Sequence, residues 1–218
     1  VPDPTVAGAL GAWADPEQVN GVFEVSATRL DLTGAEKTGT LSFRHVSASG
    51  IQLEKRLTFH ADRYDAEVAL AVQNLSGSEA PVQARLAWGP GFRNSTDKRA
   101  TTLQPPTFWL NGERVQEDTS KLNGEKILDG ALSWAAVQDS YFAAALLPQE
   151  QGVQAFVAKA QEDQPVVGLT TPRQSLSPGG QLALAARVFA GPRDLDVLKG
   201  VGQNLDQLVD LGWFDFLA

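Results

Sequence analysis

His45 and His60 are the only two histidines in the chain, and both close strand-like runs, in "FRH" and "TFH". The chemistry open to them is general acid–base work on a sugar, with a carboxylate such as Glu54 or Asp62 as the base. The plainer reading of each is a strand or surface residue with its hydrogen bonds met. Cysteine is absent, so thiol catalysis, thiolate metal ligands and disulfides are excluded. Two histidines without a ligand-spaced partner do not predict a metal centre. Neither a Gly-x-Ser-x-Gly elbow nor a P-loop occurs. "GVGQNL" at 200–205 opens like a dinucleotide fingerprint, but Leu205 stands at the third glycine position and no strand runs into it. No catalytic, cofactor-binding or metal-binding residue is therefore assigned.

Binding residues are the next candidates. Asn74 in "NLS" and Asn94 in "NST" fit the N-glycosylation pattern, although both also read as turn residues. Trp88, Trp109 and Trp134 each start or end an alternating run; exposed tryptophans would offer stacking surfaces for sugars, whereas packing in the core is the simpler role. Two long polar stretches, 89–106 and 113–130, interrupt the pattern and read as functional or mobile loops.

The net charge of −8, from 26 acidic and 18 basic residues, repels phosphate backbones and anionic headgroups, and no Lys/Arg run overrides it. Nucleic acid is not an expected partner. No stretch approaches the roughly 20 apolar residues of a membrane-spanning helix. The chain starts "VPDPTVAG" and contains no Met, which is expected of a piece cut from a longer chain.

The elements that would position these residues follow from period-two alternation. In "IQLEKRLTF", Ile51, Leu53, Leu57 and Phe59 share a face that Lys55 interrupts. Tyr64, Ala66, Val68, Leu70 and Val72 face one way, with Asp65, Glu67 and Gln73 opposite. "PVQARLAW" repeats the pattern, and "FWLNGERV" carries the Asn-Gly of a type I′ hairpin at Asn111-Gly112. "VFEVSATRL", "TLSFRHV", "LSWAAV", "YFAAALL", "VQAFVAKA", "PVVGLT" and "QLALAARVFA" are further strands. With no helices between them, an all-β antiparallel sandwich is predicted. Residues 1–20 read as an irregular lead-in, 21–190 as the sandwich, and 191–218 as a short helical segment. In that last part Leu195, Leu198, Leu205, Leu208 and Val209 recur at helical spacing, Asn204 is a candidate cap, and Gly212 a candidate stop.

Four short motifs, in order over about 160 residues, carry a resemblance. "RLTFHADRYDAEVALAVQN" (56–74) has a Tyr before an alternating run that ends in Asn. "ILDGALSWAAVQDSYFAAALLP" (127–148) holds Gly130, Trp134, Tyr141-Phe142 and Leu147-Pro148. Gly191-Pro192-Arg193 follows the last strand, and Gly212-Trp213-Phe214 stands near the end. In this the chain resembles the large periplasmic domain of the YidC family of bacterial membrane-protein insertases. It departs at Leu211, where that family has an aromatic residue, and the family's membrane-groove arginine has no counterpart here.

The resemblance implies a galactose-mutarotase-like β-supersandwich followed by helices, placed on the periplasmic side of the bacterial inner membrane. It implies no enzymatic activity and no cofactor. Its implied partners are the Sec translocon, the accessory SecD–SecF proteins and nascent membrane proteins. It also gives the apolar tail a role: Trp213, Phe214, Phe216 and Leu217 would lie at the membrane boundary, or Trp213 would fold back on the domain. Two other readings compete with this non-catalytic module. One is a mutarotase-like enzyme using His45 or His60. The other is a carbohydrate- or peptide-binding module using the tryptophans and 89–106.

Overall fold

Alternating strands bury one face only when a second layer covers it, and two sheets meet that need here. The computed structural model describes residues 10–15, 22–89, 104–159 and 164–209. In chain order the strands are β1 (Leu10–Asp15), β2 (Glu24–Val25), β3 (Thr38–Val46), β4 (Ile51–His60), β5 (Asp65–Asn74), β6 (Ala80–Trp88), β7 (Thr107–Leu110) and β8 (Glu113–Gln116). They continue with β9 (Lys126–Leu128), β10 (Leu132–Gln138), β11 (Phe142–Pro148), β12 (Gln154–Lys159), β13 (Pro165–Thr170), β14 (Gln174–Leu176) and β15 (Gln181–Pro192), before helix α1 (Leu195–Val201).

The large sheet has nine strands in the order β2-β3-β4-β5-β15-β11-β10-β7-β8. The small sheet runs β1-β6-β13-β12-β9, with β14 also paired to β6. The ladders between these strands are antiparallel. Between the sheets lie Val68, Leu70 and Val72 of β5, Val82 and Leu86 of β6, Leu146 of β11 and Leu184 of β15. Those of β5 and β6 are positions that the alternation assigns to a buried face. Asn111 and Gly112 take the left-handed φ values of 55° and 81° that a type I′ turn requires, and they join β7 to β8.

A second, smaller core lies on the far side of the large sheet. Trp134, Ala136, Ala143, Ala145, Leu147 and Phe189 face outward there, and Leu198, Leu205 and Leu208 cover them. Trp109 stacks on Trp134 at a centroid distance of 6.2 Å. Asp194 caps α1 by accepting from the N–H groups of Asp196 and Val197. The helix then breaks, because Gly202, Gln203 and Asn204 all adopt positive φ, and a 3-10 turn follows at Leu205–Leu208.

Several elements differ from the sequence expectation. Residues 10–15, placed in an irregular lead-in, form β1 against β6. The partner explains it: Arg85 of β6 pairs with Asp15 at 2.7 Å and bidentately with Glu125, and its guanidinium sits 6.0 Å from the Trp13 ring and 5.0 Å from that of Phe156. The stretch 113–130 is not one polar loop. It holds β8, a 3-10 turn at Thr119–Lys121 and β9, drawn together by Lys126 on Glu117 at 2.7 Å. Of "VFEVSATRL" only Glu24–Val25 is strand. β15 runs on to Pro192, past the expected sandwich limit at 190. Asn204 makes no side-chain cap bond. Asp65, expected on the wet face, is buried between Arg63 at 3.2 Å and Arg187 at 3.5 Å. Gly212 lies outside the described residues.

Lys55, the interruption in β4, does point inward. Its Nζ donates to the Leu10 carbonyl at 3.1 Å and lies 5.0 Å from the Phe43 ring centre, so it ties β1 to the large sheet. Burial holds its pKa below the ordinary 10.5, since leaving water penalises the charged form. Above the lowered folded value the folded chain has released a proton that the unfolded chain keeps, so stability rises with pH through that window up to 10.5. Urea unfolding of wild type and Lys55→Met between neutral pH and 10.5 should show the wild type gaining on the variant; a constant difference would count against it.

Candidate functional site: the open half of the outer sheet face

The helical segment covers only part of the large sheet's outer face. Beyond it β5, β4 and the part of β15 before Phe189 leave theirs open. Register pairs Ala185 with Ala69 and Ala183 with Ala71, so a two-by-two patch of alanines forms a low floor there. Ala69, Ala71 and Ala183 are exposed. Across from them on β4 stand Glu54, Arg56 and Thr58, paired with Ala71, Ala69 and Glu67. Long side chains beside short ones make a trough of about 390 Å³ over Ala69 and Ala185, with Arg56 and Thr58 on one side, Gln149 and Arg187 on the other, and Glu67 at one end.

The charges around this trough are tethered. Arg56 holds Glu54 at 2.8 Å, yet its side chain remains 56% exposed. Arg187 reaches Asp65 with one nitrogen and donates to the Val201 carbonyl at 3.0 Å with another. Arg187 thus lines the trough and also fastens the last carbonyl of α1. That bond joins the open half of the face to the covered half.

His60 and Glu67 sit beside this end of the trough. His60 Nε2 lies 3.3 Å from Glu67 Oε1, and Nδ1 lies 3.2 Å from Thr38 Oγ1. A histidine does meet a carboxylate, then, but it is Glu67 and not Glu54 or Asp62. Both ring nitrogens are engaged within the sheet surface, which leaves neither aimed at a ligand. His45 donates from Nδ1 to the Val22 carbonyl at 3.1 Å and packs on Phe23. The structure does not bring the two histidines into one site.

The other candidates fall in the body of the fold. Trp134 is fully buried, and Trp88 and Trp109 pack against the two cores. Asn74 is fully buried and donates to the carbonyls of Ser78 and Leu176, so it holds a turn and offers no surface acceptor. "GVGQNL" is the break after α1, with no strand feeding it. Asn94, most of the stretch 89–106, and Trp213, Phe214, Phe216 and Leu217 lie outside the described residues. Sequence reading missed Arg56, Arg187 and the alanine floor. Their signal is two runs, Glu67-x-Ala69-x-Ala71-x-Gln73 and Gln181-x-Ala183-x-Ala185-x-Arg187, which put alanine at wet positions where strands usually carry larger residues.

Architecture and open face define an all-β, galactose-mutarotase-like sandwich. Solved structures agree on that fold. An α-galactosidase of Geobacillus stearothermophilus matches with a TM-score of 0.55 over 87% of this chain and 28% of its own, at 12% identity. A galactose mutarotase-like protein of Lactobacillus casei matches at 0.50 over 77% of this chain and 72% of its own, at 14% identity. The family is given by sequence: the model of the YidC periplasmic domain matches residues 6–218, and the chain belongs to that family. A membrane protein insertase YidC of Geobacter sulfurreducens is 35% identical over 91% of this chain and 38% of its own length. One of Maridesulfovibrio salexigens is 30% identical over 98% and 38%. The chain thus spans less than two-fifths of these relatives.

The Arg187 tether is testable. Arg187→Met removes a charged donor from the Val201 carbonyl and should cost about 1.5–3 kcal/mol. Amide exchange in 195–209 should speed up markedly more than in β5, and equal acceleration in both would deny the tether.

Proposed function

We propose that this chain is the non-catalytic, periplasmic-side module of a bacterial inner-membrane insertase, and that it assists insertion and folding of membrane proteins through its surfaces. The observation that carries this reading is the family match over residues 6–218, together with relatives named as insertases. The geometry is in keeping with it. Among the described residues, His60 is held in the sheet surface between Glu67 and Thr38. A surface of net charge −8 suits protein contacts better than anionic lipid.

In this reading the Sec translocon and SecD–SecF are the docking partners, and nascent membrane proteins are the clients. Transient contacts of that kind use modest, largely polar interfaces. Trp213, Phe214, Phe216 and Leu217 supply a boundary contact with the bilayer, where aromatic rings are well accommodated. The α1 segment, held by Arg187, makes a stiff link between that contact and the sandwich.

Two measurements test the reading. Tryptophan fluorescence with neutral lipid vesicles should show a blue shift for this chain and little for one cut after Gly212; identical spectra would remove the membrane contact. Immobilised folded chain should retain SecD–SecF from solubilised inner membranes. Repeated failure to do so would overturn the scaffold role.

A further inference from the structure

We infer that Asn123 is a site of spontaneous modification: its side-chain amide is lost to the nitrogen of Gly124, and the isoaspartyl link that results loosens the anchor of β1.

Asn-Gly occurs three times in the chain, at 20–21, 111–112 and 123–124, and the first of these lies outside the described residues. Asparagine cyclises most readily when glycine follows, since no side chain shields the next nitrogen. The two described pairs are alike in sequence but are held differently. Asn111 is clamped: its Oδ1 accepts from the Ala131 N–H at 2.8 Å, and its own N–H donates to the Ala131 carbonyl at 2.9 Å. Its carboxamide also lies against Gly130, where a Cβ would come within 2.6 Å of it. Asn123 is exposed in the bend between the 3-10 turn and β9, and among the described residues nothing holds its carboxamide or the Gly124 N–H. Gly124 has a φ of 94° and open space where a side chain would stand, so the carboxamide is free to turn onto the nitrogen.

The Gly124 nitrogen gives its proton to solvent and adds to Asn123 Cγ. The Cγ–Nδ2 bond breaks, and the amide takes up a proton and leaves as ammonia, which closes a cyclic imide. Water then opens the ring at either carbonyl, leaving aspartate or isoaspartate at 123, each with a new carboxylate that is ionised at neutral pH. In isoaspartate the main chain runs through Cβ and Cγ, so it gains one carbon–carbon bond of about 1.5 Å.

That insertion falls two residues before Glu125, which holds Arg85 at 2.6 and 2.9 Å. Arg85 in turn holds Asp15 of β1 at 2.7 Å. Displacing one partner of a buried ion pair leaves the other charge poorly compensated, so β1 loses part of what keeps it on β6.

The test holds the whole 218-residue chain for days in mildly alkaline buffer and maps it by mass spectrometry. Tryptic peptides 122–126 and 100–114 report Asn123 and Asn111 separately. The first should gain one mass unit and become a substrate for an isoaspartyl methyltransferase. The second should change at least about fivefold more slowly, the factor that retaining one hydrogen bond implies. In the aged chain, amide exchange in 10–15 should be faster than in fresh protein, with β5 unaltered. Asn123→Ala, aged in the same way, should show no such acceleration. No mass gain at 123, equal rates at 111 and 123, or a modified chain whose β1 exchanges like the fresh one would each overturn the inference, as would equal acceleration in aged Asn123→Ala.

Discussion

The centre of the large sheet is buried on both faces, and most of the architecture answers to that constraint. Ala143, Ala144, Ala145, Leu146 and Leu147 of β11 have no exposed surface at all. Such a strand cannot stand at a protein–water boundary, because alternate side chains enter opposite layers. The small sheet supplies one cover. The other is supplied by three leucines of the helical segment, Leu198, Leu205 and Leu208. The segment after β15 is therefore as much a part of the hydrophobic interior as any strand, and Arg187 and Asp194 fix where it lies. The cover stops short of β4 and β5, whose outward residues are polar or small, and the trough exists because of that shortfall.

The strands that could be read from the chain are those whose burial is one-sided and whose turns are local. β5 and, apart from Lys55, β4 alternate in sequence, as does β6 although Arg85 and Ala87 are buried on its second face, and the Asn111-Gly112 hairpin announces itself. The apolar runs of β11 and β13 could be recognised as strands, though nothing in a continuous run tells which side chain meets which layer. β1, β9 and β14 are short, and their reasons for being strands lie far away in sequence. β1 depends on Arg85, seventy positions on from its own residues, and β14 on Pro81 and its neighbours.

The same separation hid the site. His45 and His60 stand out in a list of reactive residues, yet each is absorbed by bonds to its own sheet. Alanines stand out in no such list. They acquire meaning only when the β5–β15 register sets two pairs of them side by side, and when β4 raises Arg56 next to them. The fold is shared with proteins named for sugars, but a fold carries no chemistry of its own. What this molecule presents on the open part of its large sheet is a pair of guanidiniums over small side chains, with Trp134 sealed beneath leucine.

One packing detail has a bearing on how such a chain can change over time. Gly168 of β13 lies opposite Phe156 of β12, and the Phe156 ring rests directly over it. A methyl group at 168 would collide with that ring and come within 2.7 Å of the Leu86 carbonyl oxygen. The same ring is the near wall of the Arg85 cation, which in turn holds Asp15 and Glu125. Positions 15, 85, 125, 156 and 168 are thus one packed set drawn from five separate stretches. A side chain at 168 would push the ring away and, with it, the wall behind the cation that anchors the first strand.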